Sequence, residues 1–299
     1  VRETLLGCAS PEQDIEQTAF LGASIGRYAN RIARSRFTLD GVTYSLLASQ
    51  GENQLHGGPE GFDKRRWKIV QQNDGEVWFS LDSLDGDQGF PGNLTATARF
   101  SLTEDNRIAI EYRATVDKPC PVNLTNHAYF NLDGNQTDVR SHKLQILSDE
   151  YLPVDEMGIP YQGLKPVSGN SFDFRQPKTI AQNFLSDDDQ RKVKGYDHAF
   201  LLQAKGDLSQ PAAQVWSADE KLQMTVYTTA PALQFYSGNY LEGTTAREHD
   251  AYGAWQGLAL ESEFLPDTPN HPEWPQPDCV LRPGEEYVSV TEYHFIPRA

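Results

Sequence analysis

Basic residues are scarce in this chain. Across 299 residues, 26 Lys and Arg stand against 42 Asp and Glu, a formal net charge of −16. A nucleic-acid binder needs a basic footprint, so that class is excluded. The same excess of carboxylates works against electrostatic steering of anionic substrates such as sugar phosphates. It also has a simpler meaning, because an acidic surface keeps a protein soluble. Cysteine is rarer still, with only Cys8, Cys120 and Cys279. An odd number with no CxxC spacing excludes a disulfide framework and suits a reducing compartment. Nothing beside these residues suggests an activated thiolate. No apolar run approaches the ~20 residues that a membrane span requires. The first residues, Val1-Arg2-Glu3-Thr4, lack the apolar core of a signal peptide. The expected location is therefore the cytoplasm, with no membrane partner.

Several chemistry-bearing motifs are also missing. The sequence has no G-x-x-x-x-G-K-[ST] phosphate loop and no G-x-G-x-x-G fingerprint. It has no G-x-S-x-G nucleophile elbow. There is no H-E-x-x-H, and no two of the seven histidines sit at zinc-ligand spacing. Local sequence therefore suggests no nucleotide, metal or serine nucleophile. Cofactor-free acid–base chemistry or pure binding remains.

What the chain does contain is alternation of period two. In 107–116, Ile108, Ile110, Tyr112, Ala114 and Val116 face one way, and Arg107, Glu111, Arg113 and Thr115 the other, which predicts a half-buried strand. Segments 77–82, 94–102, 122–132, 222–228, 232–241, 257–264 and 287–295 read similarly. Turn clusters such as Asp85-Gly86-Asp87 and Phe90-Pro91-Gly92-Asn93 separate them. Helical periodicity is confined to short stretches at 178–185 and 187–194. Many strands and few helices predict an all-β protein, a large antiparallel β-sandwich forming a single domain over 1–299.

Two strands present polar groups in a pattern that could serve a ligand. In 121–132 one face shows Asn123, Thr125, His127, Tyr129 and Asn131. Such a face suits a hydroxyl-binding cleft, and it equally suits a solvated sheet surface. In 257–264, Glu261 and Glu263 share a face with the small Gly257 and Ala259, which leaves room for a ligand beside a carboxylate. An ordinary exposed glutamate fits the pattern as well. Elsewhere, Leu55-His56-Gly57-Gly58 allows a close backbone approach to a ligand or a tight turn. Arg31 suits a fork onto hydroxyls or a structural ion pair. Pro266–Pro275 is a proline-set loop able to wall a pocket. Asp197 beside Tyr196, and Gln234 sharing a face with Tyr236, are residue types that grip sugar hydroxyls.

Taken together, the stretches GRYANRIA, LHGGPEGFDKRRW, NLTNHAYFNL, KGYDHAF, TTAPALQFYSGNYL and LALESEFLPDTPNHPEWP, in order from residue 26 to residue 275, resemble the galactose mutarotase (aldose 1-epimerase) family, particularly its enterobacterial members. The resemblance implies a β-supersandwich and a cofactor-free isomerase acting on free aldoses such as galactose and glucose. By position, His127 corresponds to the family's general acid and Glu261 to its general base. Asn30, Arg31, His56, Asp197 and Gln234 correspond to substrate contacts, and Tyr129 lies two residues from the acid. A monomer or weak dimer is expected. Family members usually carry a further N-terminal segment before the stretch RETLLGC, so incomplete sheet edges and reduced stability are expected here. A non-catalytic sugar-binding β-sandwich is the competing class. A glycosidase with two flanking carboxylates is another.

Mutarotation explains the residue types. The ring oxygen leaves C1 readily only when protonated, which calls for an acid near neutrality such as histidine. The anomeric hydroxyl must lose its proton, which calls for a carboxylate. Neighbouring carboxylates are expected to hold the acid as imidazolium.

Overall fold

The computed structural model describes residues 2–134 and 137–298. The alternating segments form strands close to the expected bounds, Glu76–Ser83, Leu94–Leu102, Arg107–Val116, Leu222–Thr228, Leu258–Glu263 and Tyr287–Pro297, whereas the strand expected over 232–241 is shorter and spans Ala232–Tyr236. In Arg107–Val116 the buried set is Ile110, Tyr112, Ala114 and Val116, as period two requires.

Among the described residues, two large antiparallel sheets dominate. One has nine strands, running in space from Lys178–Thr179 through Lys143–Ile146, Ala213–Trp216, Leu222–Thr228, Tyr287–Pro297, Arg107–Val116, Leu94–Leu102 and Glu76–Ser83 to Lys68–Asn73. The other has six, in the order Tyr129–Phe130, Leu258–Glu263, Ala232–Tyr236, Asp197–Leu201, Glu150–Leu152 and Lys165–Pro166. They pack face to face over a shared apolar core that includes Ala98, Ile110, Val226, Phe200, Phe235 and Leu260. Phe130 stands 4.9 Å from Tyr293 across that interface. The Tyr293 hydroxyl donates to the Leu260 carbonyl at 3.2 Å.

Directly paired residues in an antiparallel ladder point to the same side. Tyr129 pairs with Ala259, Ala259 with Tyr236, and Tyr236 with Asp197. Glu261 pairs with Gln234. These side chains therefore share the face turned away from the apolar core, and this face carries the polar cluster described below.

The stretch 122–132 departs from the expected single strand. Within it only Thr125–Asn126 and Tyr129–Phe130 are strands, and these two and Cys120–Pro121 just ahead of it each have a different partner strand. Residues 22–29 cause the break by taking its backbone groups. His127 N–H donates to Ala23, Asn123 N–H to Arg27, and Ala29 N–H to Asn123. Every residue from Cys120 to Leu132 is buried, which removes the solvated-face reading. Helices are shorter than expected too. Within 187–194 only Asp188–Lys192 is helical, and 178–185 holds a two-residue strand followed by turns. No helix among the described residues is long and apolar enough to cross a membrane.

Candidate active site

A cavity of about 320 Å³ opens above the polar face of the six-stranded sheet. Seven of the eight residues singled out from the sequence line it: Asn30, Arg31, His56, His127, Tyr129, Asp197 and Glu261. Gln234 lies just behind the wall, where its Nε2 donates to Asp197 Oδ1 at 2.7 Å.

The register of the sheet brings His127 and Glu261 together. Tyr129 pairs with Ala259, so continuing the ladder by two residues sets position 127 opposite 261. His127 Nε2 lies 3.5 Å from Glu261 Oε1. The histidine backbone is clamped on both sides, its N–H donating to Ala23 and its carbonyl accepting from Gly22. Its ring lies against Phe20, Tyr129 and His56, with centroids at 5.9, 4.9 and 5.2 Å.

Both members of the pair are almost completely buried, and burial favours the neutral form of each. Desolvation lowers the His127 imidazole to about 4, against a weaker opposing backbone hydrogen bond. Desolvation raises the Glu261 carboxyl well above its ordinary range, and the neighbouring Glu263 and Asp197 push it further. The expectation of an imidazolium held by carboxylates is thus corrected, since loss of water favours the neutral imidazole.

Asn30 organises the opposite wall. It sits at φ 63°, in the left-handed region that asparagine tolerates. Its N–H donates to His56 Nδ1 at 3.1 Å, and the His56 N–H returns a bond to the Asn30 carbonyl at 3.0 Å. Its Oδ1 accepts from Arg31 N at 3.0 Å and from Arg31 Nη1 at 3.3 Å. Its Nδ2 donates to Glu263 Oε1 at 2.8 Å. Arg31 Nε donates to Gln50 Oε1 at 2.8 Å, and Arg31 Nη2 lies 4.0 Å from Asp197 Oδ2. Arg31 is the one cationic side chain among the cavity-lining residues. Burial raises Asp197, and Arg31 and Gln234 pull it back.

The bond from Asn30 fixes the His56 tautomer. Burial, with help from His127 and Arg31, pushes His56 well below 6.5, so the ring is neutral. Because Nδ1 accepts, the single ring proton sits on Nε2. His56 therefore offers the cavity a donor. The same tautomer bears on metal binding. His56, His127 and Glu261 present donor atoms within 4.8 Å of one another. Yet His56 Nε2 has no free lone pair while Nδ1 holds the Asn30 N–H, so this trio is a poor metal set as it stands.

Two sequence readings are refined. Gly57 serves the backbone, since a Cβ there would lie 1.8 Å from the Gly26 carbonyl oxygen. The proline-set loop does not line the cavity. It braces it from behind, through Asp267 N–H to the Arg31 carbonyl at 2.8 Å and Ala33 N–H to Asp267 Oδ1 at 2.9 Å. The wall residues that sequence reasoning left out include Phe20, Gln50, Tyr236 and Tyr240. Of these only Tyr236 had a signal, its place on the same strand face as Gln234.

Known proteins add to this picture. The sequence profile of the aldose 1-epimerase family matches residues 1–294. The chain is similar to the aldose 1-epimerase of Escherichia coli K12, with 76% identity over 99% of this chain and 86% of that protein. It is similar to human galactose mutarotase at 39% identity, over 98% of this chain and 84% of the relative. Among solved structures, an aldose epimerase homologue from C. elegans superposes with a TM-score of 0.91 at 29% identity, over 99% of this chain and 88% of the other. A galactose 1-epimerase from Lactobacillus acidophilus superposes with a TM-score of 0.86 at 30% identity, over 100% of this chain and 86% of the other.

Proposed function

The chain belongs to the aldose 1-epimerase family and is an isomerase that interconverts the anomers of free aldoses, and we propose that it does so with His127 as general acid and Glu261 as general base. The observation that carries the assignment is the 3.5 Å approach of His127 Nε2 to Glu261 Oε1 inside a sugar-sized, polar-walled cavity.

The reaction needs one proton on this pair. With a cyclic sugar bound, His127 protonates the ring oxygen while Glu261 removes the proton of the anomeric hydroxyl. The C1–ring-oxygen bond breaks and the open-chain aldehyde forms. The pair then stands as neutral imidazole and carboxylic acid. After rotation about C1–C2, Glu261 returns its proton to the aldehyde oxygen as the ring oxygen attacks C1 and gives its proton back to His127. The two protonation states of the pair are tautomers with the same total charge. Burial favours the neutral tautomer, which is the state of the open-chain step. Sugar hydroxyls filling the cavity would solvate the charged tautomer and narrow the gap between them.

The remaining groups bind and orient. Asp197 and Arg31 suit the outer hydroxyls, and Gln234 acts through Asp197 with its own Oε1 left unpartnered. Asn30 and the His56 Nε2–H complete the polar wall, and Tyr129 packs beside the acid. Galactose and glucose are the proposed substrates. The single lining cation, facing Asp197, favours a free sugar over a phosphorylated one. We also propose a cytoplasmic monomer or weak dimer. The three cysteines are free and buried, as suits a reducing compartment. Polarimetry on freshly dissolved α-galactose tests the activity, and an enzyme that bound galactose without speeding its mutarotation would be a plain sugar-binding protein.

A further inference from the structure

Glu263 is a buried carboxylate that the proton-transfer steps do not use. Alternation along Leu258–Glu263 puts it on the same face as Glu261, one ladder step away, opposite Ala232. It is 1% exposed, and its Oε2 has no partner. Its Oε1 accepts the Asn30 Nδ2–H at 2.8 Å.

We propose that Glu263 is a positioning residue, which fixes the orientation of the Asn30 side-chain amide and through it the sugar-binding group Arg31. This rests on the mutarotase reading of the cavity. The Asn30 amide meets Arg31 through its Oδ1, whereas His56 is held by the Asn30 main-chain N–H and does not depend on the amide's orientation. Only one orientation of the amide works. With Oδ1 toward Arg31, the amide accepts two N–H groups. With the amide reversed, its NH₂ would face those same donors and release the guanidinium. Glu263 supplies the acceptor that selects the first orientation.

Oε1 needs only to accept, so a negative charge on Glu263 is not required. The groups around it are Asn30 and Arg31 on one wall, Asp197 across the sheet, Glu261 on its own strand, and Tyr28 and Tyr287 nearby. Among them Arg31 is the only cation, against the two carboxyl groups of Asp197 and Glu261. Burial raises Glu263 to about 8, with Asp197 adding to the rise and the Asn30 bond and Arg31 opposing it. At neutral pH the raised value favours the acid form.

Hydrogen-bond reach and charge separate cleanly in two conservative variants. Glu263→Gln keeps a carbonyl at the Oε1 position and removes the charge. Glu263→Asp keeps the carboxyl and, one methylene shorter, loses contact with Asn30. Glu263→Gln is expected to hold kcat and KM for galactose within about threefold of the parent, whereas Glu263→Asp raises KM on the order of tenfold with kcat little changed. Asn30→Ala should raise KM similarly, and the double variant Asn30→Ala/Glu263→Asp should be no worse than either alone. Calorimetric titration with galactose should show the same losses. A parental KM in Glu263→Asp, equal damage in Glu263→Gln, or additive effects with Asn30→Ala would each overturn the proposal. Failure of the mutarotase reading shows differently, as a parent enzyme that does not accelerate mutarotation at all.

Discussion

His127 Nε2 and Glu261 Oε1 lie 3.5 Å apart although 134 positions separate them in the chain. The Tyr129–Ala259 register sets that approach, and burial drives both groups toward neutrality. Removing either group should stop the proton relay without dismantling the cavity. His127→Asn and Glu261→Gln preserve side-chain size and are each expected to lower kcat by roughly 10²–10⁴-fold. Galactose binding, read by calorimetry, should persist in both.

The pH dependence follows from the requirement for one proton on the pair. Below the His127 value of about 4 a second proton joins the pair and no base remains. The acid limb of kcat/KM is therefore expected near pH 4, not at 6.5, the ordinary histidine value. The alkaline limb reports loss of the Glu261 proton and is displaced above the ordinary carboxylate range. Both limbs belong to the pair and not to one residue. An acid limb centred at 6.5 would show that His127 titrates freely.

Arg31 holds Gln50 and Asn30 at once and faces Asp197. Lysine carries the charge but lacks the planar fork that serves several acceptors. Arg31→Lys should raise KM for galactose on the order of tenfold, with a smaller effect on kcat. Initial-rate polarimetry over a range of galactose concentrations separates the two parameters.

Glu263 also leaves a signature in stability. Its native value of about 8 exceeds the unperturbed 4.5. The native state then binds more protons than the unfolded chain in that window. Its stabilising contribution is complete below 4.5 and is lost as pH rises toward about 8. Glu263→Gln removes this dependence. Its Tm is expected to exceed the parent's at pH 8 by a few degrees, with the difference shrinking toward pH 5. Calorimetric melting at the two pH values checks the sign.

Much of the fold was legible because period-two alternation reports which side of a strand is buried. Arg107–Val116 and Leu222–Thr228 fall where the pattern places them. The stretch around His127 was harder. Its polar face is buried in a cavity, and its backbone bonds go to residues 22–29, which carry no strand pattern of their own. Alternation also put Glu261 and Glu263 on one face. It could not show that one meets His127 and the other Asn30, since that depends on register with strands far away in sequence. Phe20 left no mark at all. It reaches both histidines from a left-handed turn at φ 60°, and local composition does not encode such a placement.

The central claim is that His127 and Glu261 open and close the ring of a free sugar. Polarimetry of freshly dissolved α-galactose tests it most directly. The rotation should relax to its equilibrium value at a rate that rises in proportion to enzyme concentration, and Glu261→Gln should abolish that rise. Relaxation at the buffer rate, from a protein that calorimetry shows to bind galactose, would contradict the account.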